Sequence, residues 1–95
     1  MLHTVTKSPN AADLKTLYAI ASNNDAILLL QDGVLCGLIN TEALTNLMYT
    51  STFLFAIKVD VLARGLSNRI SPNIVLLNYN EFVALSVLHK QQLSW

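Results

Sequence analysis

Polar and apolar residues follow one another along this chain in blocks of two kinds. One kind is short and continuously apolar, as at 26–30 and 74–77, which is typical of strands buried on both faces of a parallel sheet. The other kind has apolar residues three and four positions apart, as at Leu14, Leu17 and Tyr18, which indicates one face of a helix. The two kinds alternate from the first residues to the last.

This alternation predicts four strands, four helices and a short final strand. The strands are expected at 2–6, 26–30, 53–58, 74–77 and 91–95, and the helices at 11–22, 40–49, 60–66 and 81–90. The apolar segment 34–39 contains Gly37, and its pattern fits either a strand or a helix. Strands that alternate with helices are joined as parallel neighbours. The fold class is therefore α/β, with a small, mainly parallel sheet of four or five strands and helices on both faces, in a flavodoxin-like three-layer arrangement.

Helices are expected to begin at polar side chains that accept backbone N–H groups. The predicted caps, in chain order, are Ser8 or Asn10, then Asn40 or Thr41, then Asp60, and finally Asn80.

Composition adds a prediction about assembly. The 95 residues form one domain, 1–95, because so short a chain cannot enclose a second core. Only 13% of the residues are charged, whereas globular domains average about 25%. A small domain has much surface to solvate, so this depletion indicates that part of the surface meets other subunits.

Charge and hydropathy also exclude classes of partner. The net charge is zero and the six basic residues are scattered, so no direct binding of nucleic acid is expected. No stretch of about 20 apolar residues is present, and the first residues lack the apolar segment of a signal peptide. The chain is therefore expected in the cytoplasm and away from the membrane.

Cys36 is the only cysteine and the only nucleophile suited to sulfur chemistry. A thiolate on a loop could carry a persulfide. Its neighbours are apolar, however, which favours a packing role and leaves Cys36 a weak catalytic candidate. No grouping of Cys and His has metal-ligand spacing, so neither a metal nor a cofactor is expected.

The remaining candidates are single side chains. Arg64 and Trp95 are candidate interface residues: Arg64 as a partner for a carboxylate or anion, Trp95 as an aromatic anchor on its own domain or a neighbour. His3 is expected to be a satisfied core or interface residue, and Asp32-Gly33 a turn. No Ser/His/Asp arrangement is visible, so the chain is not expected to be an enzyme on its own.

Several fragments, in this order, resemble the TusB/DsrH family over essentially the whole chain. They are Met1-Leu-His-Thr, Ser8-Pro9, Leu28 to Val34 (LLLQDGV), Ala63 to Leu66 (ARGL), Asn78-Tyr79 leading into Glu81-Phe82-Val83, and the terminal Trp95. The most specific piece is the run from Leu28 to Val34.

The resemblance implies a DsrE/F-like α/β fold and a place in a sulfur-relay complex. In that family the subunit assembles with TusC and TusD into a heterohexamer, a dimer of heterotrimers. The complex passes persulfide sulfur from a TusA-type carrier to a TusE-type carrier for 2-thiouridine formation at the tRNA wobble position. DsrEFH counterparts serve dissimilatory sulfur oxidation, and the relay cysteine belongs chiefly to the TusD/DsrE subunit.

Three functional hypotheses follow. The chain is an accessory, non-catalytic subunit of a sulfurtransferase complex, or an active sulfur carrier through Cys36, in either the tRNA or the sulfur-oxidation setting. The third hypothesis is a ligand-binding module of flavodoxin-like architecture, against which the absence of a phosphate loop argues.

Overall fold

The structure is a computed structural model that describes all residues from Met1 to Trp95. Five strands form one sheet in which every neighbouring pair is parallel, in the order β4-β3-β2-β1-β5. The strands are β1 (Leu2–Val5), β2 (Ala26–Leu29), β3 (Phe53–Ile57), β4 (Val75–Leu77) and β5 (Gln92–Ser94). The predicted α/β class, the parallel sheet and the fifth strand are confirmed.

Four α-helices and one 3-10 helix connect these strands. The α-helices are α1 (Leu14–Ile20), α2 (Glu42–Thr50), α3 (Lys58–Ala63) and α4 (Tyr79–Leu88). Of the segment 34–39, whose pattern fits either a strand or a helix, residues 34–37 belong to a 3-10 helix at Gln31–Gly37. This short helix follows β2 directly, and its Gly33 lies so close to β1 that no side chain fits there.

The first helix is shorter than predicted. Its N-cap is Asp13, whose side chain accepts the N–H group of Thr16. Neither Ser8 nor Asn10 is the cap, because the Ser8 carbonyl accepts the N–H groups of residues 11 and 12 and closes a separate turn. At the second helix the prediction of Thr41 is confirmed, since its hydroxyl accepts the N–H group of Leu44 at 3.3 Å.

The predicted starts of the last two helices are wrong, and both are too late. β3 runs directly into α3, so Asp60 lies within the first turn and not at the cap. Between β4 and α4 there is only Asn78, which is the cap in place of Asn80. Asn78 and Glu81 form a capping box, with reciprocal side-chain to backbone hydrogen bonds of 2.9 Å. Strand-to-helix connections this short leave no room for a separate capping loop.

Helices cover both faces of the sheet, as predicted, but unequally. Side chains of α1, α2, α3 and the 3-10 helix pack with Val5, Ile27 and Leu29 in the larger core cluster. The opposite face has only α4, whose Phe82 and Leu85 belong to a smaller cluster. None of the helices has the length and apolar character needed to cross a membrane.

Candidate functional site

One cleft lies at the carboxyl ends of β3 and β4. The chain leaves β3 towards one face of the sheet, into α3, and leaves β4 towards the other face, into α4. Adjacent parallel strands whose connections diverge in this way leave a crevice between them, which is the usual ligand position in open α/β sheets.

This cleft has a volume of about 570 Å³, within the roughly 300–1,000 Å³ of small-molecule sites. It lies between the first turns of α3 and α4, and Tyr79 at its rim is 74% exposed. The lining is mainly apolar, and it comprises Leu30, Gln31, Ile57, Lys58, Val59, Asp60, Leu62, Leu77, Asn78, Tyr79 and Phe82.

A polar network borders the cleft. The Asp60 carboxylate accepts the backbone N–H group of Gln31 at 2.7 Å, which fixes Gln31 in a left-handed conformation with φ of 53°. Arg64 donates through Nη2 and Nε to Asp32 at 3.0 and 3.2 Å and through Nη1 to the Asp60 carbonyl at 3.2 Å. The interface candidate Arg64 is therefore engaged within its own chain, where it ties α3 to the 3-10 helix.

The chemistry of the cleft is that of a binding surface. Its lining contains neither a thiol nor an imidazole. The side chains of Asp60 and Asn78 already accept hydrogen bonds from backbone N–H groups. Lys58 is the one cation of the lining. An arrangement of this kind can hold an apolar group of a ligand or partner, but it offers no relay nucleophile.

Cys36 lies elsewhere, inside the larger core cluster. The residue has no exposed surface, and its Sγ is 3.9 Å from the carbonyl oxygen of Lys7. Burial raises the pKa of the thiol to about 11. At neutral pH the sulfur is therefore a protonated thiol, which is neither a good nucleophile nor accessible to a donor.

A second polar cluster joins the first strand to the last. The indole N–H of Trp95 donates to Nδ1 of His3 at 3.1 Å, and Nε2 of His3 is 2.9 Å from a carboxylate oxygen of Asp25. Because an indole can only donate, Nδ1 must accept, so the imidazole proton lies on Nε2 and is donated to Asp25. Trp95 was expected to dock either on its own domain or on a neighbour, and in the structure it docks on its own chain.

The pKa of Asp25 reflects these contacts. Burial alone raises the pKa of this carboxyl, but hydrogen bonds from His3, the Ser22 N–H and the N-terminal ammonium outweigh burial and lower it well below its ordinary value of 3.8. The carboxylate is thus strongly favoured in the folded state.

This shift predicts a loss of stability in acid. A carboxyl whose pKa is depressed by folding contributes stability that is complete above its ordinary pKa and is lost as the pH falls towards the folded value. We expect the urea midpoint to fall steadily below about pH 4, and we expect Asp25→Asn to remove part of that fall. Equal slopes for the two proteins between pH 5 and pH 2 would contradict the assignment.

Some residues of the cleft could be predicted from the sequence, and others could not. Asp60, Asn78 and Tyr79 follow the predicted ends of β3 and β4, where ligands of open α/β sheets are expected, and all three line the cleft. Leu62 and Phe82 were missed as lining residues, although the divergence of α3 and α4 could have indicated them. The contact between Trp95 and His3 could not be predicted from a local sequence pattern, because 92 residues separate the pair.

Comparison with known proteins identifies the family. A family model described as "DsrH like protein" matches residues 7–92. The chain belongs to this TusB/DsrH family. It is 45% identical to "Protein TusB" of Pectobacterium parmentieri over 95 residues, which is the full length of both chains. It is 46% identical to "Protein TusB" of Yersinia pestis (strain Pestoides F), again over 100% of both chains.

Solved structures agree with the DsrE/F-like fold. The crystal structure of the ychN protein from E. coli superposes with a TM-score of 0.76 at 16% identity, covering 99% of this chain and 97% of the other. The solution structure of Protein Tm0979 from Thermotoga maritima gives a TM-score of 0.65 at 28% identity, covering 96% and 97% of the two chains. Both solved structures thus share the fold described above.

Proposed function

We propose that this chain is an accessory subunit of a cytoplasmic sulfur-relay complex that supports 2-thiouridine formation at the tRNA wobble position. The observation that carries the proposal is the full-length identity of 45% to a protein named TusB. The partners are TusC-like and TusD-like subunits in a heterohexamer, a dimer of heterotrimers. TusA-like and TusE-like carriers deliver and receive the sulfur, so the chain itself contacts neither nucleic acid nor membrane.

The state of Cys36 supports an accessory role over an active-carrier role. Persulfide transfer requires a thiolate to attack the terminal sulfur of a donor, and the donor must reach it. Cys36 is fully buried and its pKa is raised to about 11. In this proposal the relay thiol lies on a partner subunit, and Cys36 contributes only to packing.

The surface composition supports a role within an assembly. Exposed large apolar side chains occur on several elements, including Tyr49 of α2, Val59 and Leu62 of α3, and Leu88 of α4. Together with the charge content of 13%, these side chains are typical of surfaces that are covered by neighbouring subunits.

The test is reconstitution with the TusC-like and TusD-like chains of the same organism. We expect a heterohexamer by native mass spectrometry, and we expect Cys36→Ala in this chain to leave transfer of labelled sulfur from a TusA-type donor unchanged. A partner cysteine should carry the persulfide detected by peptide mass spectrometry. A persulfide on Cys36, or loss of transfer with assembly intact in the Cys36→Ala complex, would establish the active-carrier hypothesis in its place.

A further inference from the structure

The His3 imidazole is held between a donor and an acceptor. Its Nδ1 accepts the indole N–H group of Trp95 at 3.1 Å, and its Nε2–H group donates to the Asp25 carboxylate at 2.9 Å. The imidazole has no exposed surface. A neutral ring has one donor and one acceptor, so these two contacts satisfy it completely.

A second proton on the His3 ring is compatible with only one of these contacts. Nε2 already carries a proton, so protonation takes place at Nδ1, and both nitrogens of the imidazolium are donors. The contact with Asp25 then becomes a charge-assisted hydrogen bond, which is stronger. The indole N–H group of Trp95, in contrast, faces another N–H group and has no acceptor. No rotation of the ring restores the lost bond, because an imidazolium has no lone pair to offer.

Trp95 directly follows β5, an edge strand of three residues. All three residues of β5 are exposed, and the only strand beside it is β1. The Trp95 backbone continues this pairing, since its N–H group donates to the Thr4 carbonyl at 2.8 Å and its carbonyl accepts the Thr6 N–H group at 3.3 Å. The indole packs against the larger core cluster. The hydrogen bond from the indole to His3 therefore fixes the end of β5 to the interior of the protein.

We propose that His3 is a pH-sensitive latch for the last strand: the neutral ring holds Trp95 and β5 against β1, and protonation of the ring releases them. The proposal rests on the hydrogen-bond geometry and does not depend on the sulfur-relay function. The released state binds one proton more than the docked state, so a fall in pH favours release. Release of β5 leaves the backbone groups of β1 along that side without their partners.

The charged groups around His3 are compatible with this change. Asp25 is the one charged side chain bonded to the ring, and its other carboxylate oxygen is 3.1 Å from the N-terminal ammonium. The strands on either side, β2 and β5, contain no charged residue. On the face of the sheet where His3 lies, α1 and α2 have only Lys15 and Glu42, both exposed, and His89 lines a groove on the other face. The carboxylate thus favours the added proton, and the indole opposes it.

The test follows Trp95, the only tryptophan, from about pH 8 to about pH 5, the range in which histidine side chains change charge. Asp25 stays ionised throughout, because its contacts hold its pKa well below the ordinary value. On acidification we expect the emission to shift to the red and the hydrogen-exchange protection factor of the Trp95 amide to fall about fivefold. The Leu30 amide, which donates to the Val5 carbonyl, should keep its protection factor.

Three variants separate the latch from other effects of pH. His3→Gln is the matched variant, because glutamine can accept from the indole and donate to the carboxylate but does not titrate, so its emission should not depend on pH. His89→Gln removes the only other histidine and should keep the response of the unchanged protein. Trp95→Phe removes the donor that opposes protonation, so the NMR shifts of the His3 ring should change at a higher pH than in the unchanged protein. Circular dichroism confirms that each variant is folded.

Several results would overturn the proposal. One is an emission and a Trp95 protection factor that stay constant over the whole pH range in the unchanged protein. Another is a response that persists in His3→Gln or disappears in His89→Gln, which would assign the pH dependence to a different group. A third is an identical titration of the His3 ring in the unchanged protein and in Trp95→Phe, and this comparison is decisive even if His3→Gln does not fold.

Discussion

Replacing Gly33 with alanine is expected to destabilise the folded chain by about 3 kcal/mol. The added Cβ would lie 1.8 Å from the carbonyl oxygen of Val5 and 2.6 Å from its carbonyl carbon. That oxygen accepts the N–H group of Leu30 at 3.0 Å, so it cannot move away without breaking the link between the end of β1 and the chain leaving β2. The clash is with backbone, and no change of rotamer relieves it.

Urea unfolding followed by circular dichroism measures this effect, and Gly37→Ala is the matched control in the same 3-10 helix. A Cβ at Gly37 would meet only the ends of side chains, at 2.6 Å from Cδ1 of Ile74 and 3.1 Å from Cδ1 of Leu29. These side chains can adjust, so a loss of about 1 kcal/mol is expected. Equal losses for the two variants would show that the 3-10 helix is free to move away from β1.

Replacing His3 with phenylalanine is expected to cost about 3 kcal/mol, although the two side chains have similar volumes. The substitution leaves the Trp95 indole N–H and the Asp25 carboxylate without the partner they share. His3 has no exposed surface, and a phenylalanine ring in its place offers neither partner a hydrogen bond. We therefore expect the loss to be concentrated where β5 joins β1.

Trp95 is the only tryptophan, so its fluorescence reports on this region while urea unfolding gives the total stability. In His3→Phe the emission should shift to the red before global unfolding. The control Trp95→Phe removes the indole donor but keeps the bond between His3 and Asp25, and we expect a loss of about 1–2 kcal/mol. A His3→Phe protein no less stable than Trp95→Phe would show that the bond to Asp25 contributes nothing.

The sequence was sufficient to predict the fold because the alternation of strands and helices is a local property. The apolar run at 26–30 and the three- and four-residue spacing from Leu14 report the burial of each element directly. The errors are at helix starts, where Asp60 and Asn80 were expected as caps. Asn78 was overlooked there because its role depends on how abruptly β4 ends.

The site was only partly predictable, because it depends on which elements come together. The carboxyl ends of strands could be located from the pattern, which gave Asp60, Asn78 and Tyr79. The divergence of α3 and α4 that opens the cleft follows from strand order, and strand order is not a local property. Burial of Cys36 was favoured by its apolar neighbours, but its place beside the Lys7 carbonyl was not foreseeable.

The position of β5 beside β1 has a consequence for the order in which the protein folds. Leu2 pairs with Gln92, a separation of 90 residues, whereas β1 pairs with β2 across only 24 residues, as in Leu2 and Ala26. Closing the longer loop from the unfolded chain costs roughly 1 kcal/mol more entropy. Folding should therefore begin among β1, β2 and β3, and native-state hydrogen exchange should find β5 the first strand to open and the last to close.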